Sequence, residues 1–95
     1  MIKDQLNRDT KKAELDFVKL WPKLEEWLVT YAESHGPTFV LWESPRNRNP
    51  LRGDEMLAGL IHSRLTQEGI TATIVKRHSK LGGLNDTLRI DVDLR

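Results

Sequence analysis

From Thr87 to Arg95 apolar and polar residues alternate without a fault, with Leu88, Ile90, Val92 and Leu94 on one parity and Thr87, Arg89, Asp91, Asp93 and Arg95 on the other. A period of two belongs to an extended strand with one dry and one wet face. Such a strand needs a second strand to pair with and a layer to cover its apolar side. The pairing partner lies just upstream. Gly69 to His78 is rich in β-branched residues, and Gly82-Gly83 sits in the connection to Leu84–Val92. The two segments read as an antiparallel pair, with the last strand at the edge of its sheet because one of its faces is wet.

The covering layer is also written in the sequence. After Asp9 and Thr10, both good N-caps, apolar residues recur at Phe17, Leu20, Trp21, Leu24, Trp27, Leu28 and Tyr31, the spacing of an amphipathic helix. Lys11, Glu14, Lys19, Lys23, Glu25, Glu26 and Glu33 fill its solvated face. Pro22 removes an amide donor and crowds the carbonyl of Val18, which predicts a kink or a break into two helices. Residues 1–9 read as a frayed or short helical lead-in. Gly36-Pro37 stops the helix. Thr38–Glu43 has no polar break, which suits a strand covered on both faces or centred in the sheet. Ser44 to Arg52, with two prolines, is a loop. Asp54-Glu55 opens a second helix with Met56, Leu57, Leu60, Ile61 and Leu65 on its apolar face and Gly69 at its end.

The order is therefore α(kinked)-β-α-β-β. A strand–helix–strand unit makes a parallel crossover, and a hairpin adds the third strand. These rules predict an α+β fold in one small domain over residues 1–95, with a three-stranded mixed sheet packed by helices in one layer or two.

With 95 residues the chain has little room for a large enclosed active site. It has no cysteine, which excludes disulfides and thiolate metal sites and points to a cytoplasmic setting. No apolar run approaches the length of a membrane span, and the first residues lack the apolar core of a signal peptide. Fifteen basic residues nearly balance fourteen acidic ones, so affinity for an anion must come from uneven placement of charge.

The topology supplies such a placement. Parallel first and second strands would bring their carboxyl ends to one edge, gathering Arg46, Arg48 and Arg52 from one loop and Lys76, Arg77, His78 and Lys80 from the other. The second helix begins at the same edge and adds its free amides. Asn49 between the arginines suits a hydrogen bond to sugar or base, and Trp42 ends a strand beside them. No aromatic interleaves the arginines, and Phe17, Trp21 and Trp27 keep the regular period of a core stripe, so base stacking lacks a platform. Glu43, Asp54 and Glu55 lie at the same edge and offset part of the charge. With Lys76 these acids have the residue types of metal-assisted phosphodiester chemistry, but no spacing singles them out. His35, His62 and His78 are scattered and form no metal-ligand spacing. Arg52-Gly53-Asp54 spells an integrin tripeptide, for which a helix start is a sufficient explanation.

Phe39-Val40-Leu41, the Gly69-Ile70 start, and Gly83-Leu84 followed by Leu88-Arg89-Ile90 resemble the C-terminal small domain of class I/II pyridoxal-phosphate aminotransferases of the histidinol-phosphate type. The resemblance covers a little over half the chain and implies a substrate-carboxylate role for Arg89. It brings no cofactor domain, and Asp93 stands where that family carries glycine. The expectation is a small non-enzymatic binding protein without cofactor or metal that contacts nucleic acid, or a nucleic-acid-handling complex, through the basic edge. The alternatives are a protein–protein interaction module, such as a phage-type inhibitor or adaptor docking on an acidic protein surface, and a repurposed aminotransferase fragment.

Overall fold

The computed structural model describes residues 2–77 and 85–95. The chain order is α1 (Ile2–His35), β1 (Thr38–Glu43), α2 (Arg52–Gln67), β2 (Thr71–Arg77) and β3 (Thr87–Asp93), as the periodicities predict. α1 is continuous through Pro22, so the chain does not break there, and the lead-in residues are helical. Pro22 lies on the solvent side, where water can satisfy the carbonyl it leaves without a donor.

Glycines end both helices where only a left-handed backbone allows the turn. Gly36 has φ 83° and Gly69 has φ 78°. At Gly69 the chain forms a complete Schellman motif, the Gly69 amide donating to the Thr66 carbonyl (3.0 Å) and the Ile70 amide to that of Leu65 (2.9 Å). Ile70 and Leu65 then meet in the core, so the stop signal also sets where β2 begins.

The strands lie in the order β1-β3-β2, and both pairings are antiparallel. β1 and β2 point the same way, but β3 separates them. The sheet is antiparallel and not mixed, and β3 is its central strand and not an edge. Its alternation has another cause: Leu88, Ile90 and Val92 are buried beneath the helices, while Arg89 and Asp91 face the side that no helix covers. β1 is an edge strand with a register shift between Val40 and Trp42, so its unbroken apolar run does not reflect burial on two faces. The irregularity lets both Leu41 and Trp42 reach the core, while Val40 remains 40% exposed.

Both helices form a single layer, and one core joins Trp21 and Leu24 of α1, Leu41 of β1, Ala58, Ile61 and Leu65 of α2, and Ile90 and Val92 of β3. His62 Nε2 lies 3.0 Å from the Ala72 carbonyl and ties α2 to β2. Among the described residues no helix is long and apolar enough to cross a membrane.

Candidate functional site

The carboxyl ends of β1 and β2, the start of β3 and the start of α2 share one end of the sheet, because β1 and β2 are both antiparallel to β3. The predicted basic residues that are described, Arg46, Arg48, Arg52, Lys76 and Arg77, therefore lie at one end of the sheet, although their strands are not neighbours and the side chains do not share one face. His78 and Lys80 lie outside the described residues.

Most of the others carry structural duties. Arg46 Nε donates to Glu43 Oε1 at 2.8 Å, and its Nη2 to Oε2 at 3.2 Å. Arg48 grips both oxygens of Asp54, whose Oδ2 also accepts the Leu51 amide at 2.8 Å. Leu51 is the N-cap of α2 and has no polar side chain, so Asp54, three residues on, fastens the turn from inside. Burial pushes the Asp54 carboxyl up, but the Arg48 guanidinium and the Leu51 amide outweigh it and hold the group below the usual carboxylate range. Lys76 reaches Glu55 across 3.3 Å, linking β2 to α2.

The asparagines are tethers as well. Asn49 Oδ1 accepts the Asp86 amide (2.8 Å), and Asn85 Nδ2 donates to the Arg46 carbonyl (3.1 Å), so the loop from 44 to 51 is stitched to the entry of β3. Sequence reasoning missed Ser44. It is 2% exposed; its amide donates to the Leu88 carbonyl (2.8 Å), and its Oγ accepts the Leu88 amide (2.9 Å), continuing the β1–β3 ladder beyond the last strand residue. A serine before Pro45 gives no warning of this in the sequence. Trp42 is half-buried against the core.

Two predicted cations keep their charge uncommitted. Arg52 and Arg77 are exposed and form no ion pair among the described residues. Arg52 lines a groove of about 360 Å³ between the first half of α1 and the start of α2, where Lys12 faces Asp9, Asp16 and Asp54. Arg77 lies on the helix-free side of the sheet, as do Arg89 and Glu43, which are register partners. The Glu43 carboxyl is held below its ordinary value chiefly by its bond to Arg46, against an opposing push from burial and with lesser pulls from the charges of Arg46, Arg89 and Arg77. Arg89 Nε also lies 3.1 Å from Asp91 Oδ1. Next to this group the open sheet face carries Thr38, Val40 and Thr73, together with the carboxylates of Asp91 and Asp93, around a shallow groove of about 460 Å³. Among the described residues no group of three or more His, Asp or Glu side chains is arranged to hold a metal ion.

Comparison with protein-family models, with curated proteins and with solved structures finds no match.

Proposed function

We propose that this chain is a non-enzymatic protein-interaction module that binds an acidic protein surface with the helix-free face of its sheet. The observation that carries this reading is that Arg46 holds Glu43 through two hydrogen bonds of 2.8 and 3.2 Å, while Arg89, which also meets Asp91 at 3.1 Å, and Arg77 lie on the same face of the sheet. A setting that favours one carboxylate suits a Glu or Asp of a partner that displaces or joins Glu43, since guanidinium forks match carboxylate geometry. β-branched Val40, Thr38 and Thr73 beside it supply contact area that costs little side-chain entropy.

A nucleic-acid partner is the second reading, favoured by the uncommitted charges of Arg52 and Arg77. Against it, Arg48 and Lys76 already hold acidic partners, and phosphate tracking along the edge would have to break those pairs.

Capture from lysate by the tagged chain, with and without nuclease, compares the wild type with the Arg46→Ala/Arg77→Ala variant. A protein partner retained after nuclease and lost in the variant is the expected result. Capture abolished by nuclease, with affinity falling by a log–log salt slope near −0.9 per phosphate, would overturn the proposal in favour of nucleic acid.

A further inference from the structure

The outer side of α1 carries an apolar stripe that the fold leaves bare. Leu15, Val18 and Val29 are 63%, 67% and 60% exposed, the highest values among the large hydrophobic side chains described. At roughly 100° per residue these three and Pro22 fall within about 60° of one another, and about 150° from buried Leu24. Scattered exposed apolar residues need no explanation; a row along the back of one helix calls for a partner.

The charges beside the stripe specify that partner. Lys11 and Glu33 are each eleven residues from Pro22, Leu15 and Val29 seven, Val18 and Glu26 four, and Lys19 and Glu25 three. Reversing the helix about Pro22 thus lays lysine on glutamate at two levels, leucine on valine at one and valine on glutamate at one. Two-fold symmetry brings the same flank of both helices together, and Lys19 and Glu26 share a flank. Lys11, Lys19, Glu25, Glu26 and Glu33 are exposed and form no ion pair among the described residues.

From this symmetry we infer that the chain forms a two-fold homodimer through antiparallel packing of α1 on α1 of a second copy, centred at Pro22. Leu15 packs on Val29 of the second copy, Lys19 meets Glu26, Lys11 meets Glu33, and the two Pro22 rings face each other at the axis. The contact spans about 33 Å of helix, taking 1.5 Å per residue over residues 11–33. One helix per subunit gives an interface at the small end of specific ones, so the dimer is of micromolar strength or weaker. It forms on the layer opposite the open sheet face, and it stands whether or not the proposed function does.

The chain has no cysteine, so single cysteines report the geometry directly. Treated with a short bismaleimide, Pro22→Cys links to itself. Leu15→Cys alone does not, because the two copies of residue 15 are about 21 Å apart along the axis, fourteen residues at 1.5 Å each. An equal mixture of Leu15→Cys and Val29→Cys does link. In sedimentation, Lys19→Glu weakens self-association roughly tenfold, two attractive contacts becoming repulsive, and adding Glu26→Lys restores it. Unlinked Pro22→Cys with a monomer at every concentration would overturn the inference. So would Leu15→Cys linking to itself as readily as Pro22→Cys, or a failure of Glu26→Lys to rescue Lys19→Glu.

Discussion

Replacing Ser44 by alanine removes a single oxygen, yet it is expected to be among the costlier changes at a polar position. The Oγ accepts the Leu88 amide at 2.9 Å in a place where Ser44 is 2% exposed and Leu88 is 3% exposed. Without it a buried backbone N–H has no acceptor, and the methyl that remains offers none. The lost bond and the stranded donor together cost about 1–3 kcal/mol, against a total stability of about 5–14 kcal/mol for a domain of this length. A loss near 2 kcal/mol corresponds to a fall in Tm of roughly 8–16 °C. Urea titration followed by tryptophan fluorescence, together with a thermal scan, measures both. Ser34→Ala is the matched control, since that hydroxyl donates to the Thr30 carbonyl (2.9 Å) on an exposed part of α1; its cost is under about 0.5 kcal/mol. If Ser44→Ala costs no more than the control at an unchanged m-value, the Leu88 amide does not depend on Oγ, and the account of how β1 is closed onto β3 is wrong.

Acid should loosen the start of α2. The folded-state value of Asp54 is lowered, so its contribution is fully present above the unfolded carboxyl value near 4 and is lost as pH falls through the folded value. Thermal scans from neutral to strongly acidic pH should therefore show a steeper decline for the wild type than for Asp54→Asn; parallel curves would refute the role of the carboxylate. Pro22→Ala should stabilise the fold by up to about 3 kcal/mol, because it restores an amide to the Val18 carbonyl at an exposed position. A lower Tm for this variant, measured at high dilution, would count against that reasoning. Ile61→Ala, at a fully buried position, should cost about 2–5 kcal/mol in denaturant titration, and a cost below 1 kcal/mol would mean the core lies elsewhere.

Element type and order were legible in the sequence because each rests on local periodicity. The spacing from Phe17 to Tyr31, the alternation from Leu88 to Leu94 and the glycines at 36 and 69 all report on their own neighbourhoods. Strand order was not legible. An alternating strand with a wet face fits an edge strand, and it fits equally well the centre of a sheet with helices on one side only. The decision falls to the Ser44–Leu88 and Leu94–Pro37 hydrogen bonds that draw β1 to β3, formed between residues more than forty positions apart in sequence. β1 misled for a related reason. A run of apolar residues signals burial on both faces only where the strand is regular, and the register shift beside Leu41 turns two successive side chains the same way.

The basic edge teaches a similar point about charge. Of its predicted cations, the described ones lie at one end of the sheet, since chain direction alone brings Glu43, Arg77 and the start of α2 together. Sequence does not say which cations are already occupied. Asp54 is bound to Arg48 because a leucine occupies the N-cap of α2 and the acid three residues later must fasten that turn. Glu55 lies one residue further along the helix and meets Lys76. A count of arginines and lysines thus overstates what the edge can offer a polyanion, and residues such as Arg48 and Asn49, which look like contacts, hold the loop that positions the others. What remains available is smaller and better defined: Arg77 and Arg52, without a carboxylate partner among the described residues, and Arg46, whose guanidinium is 79% exposed while it holds Glu43. If the proposed acidic partner is right, Arg77, exposed and without an ion pair among the described residues, is the residue whose loss should be felt first in binding and least in folding, whereas loss of Arg48, which holds Asp54, should be felt in folding.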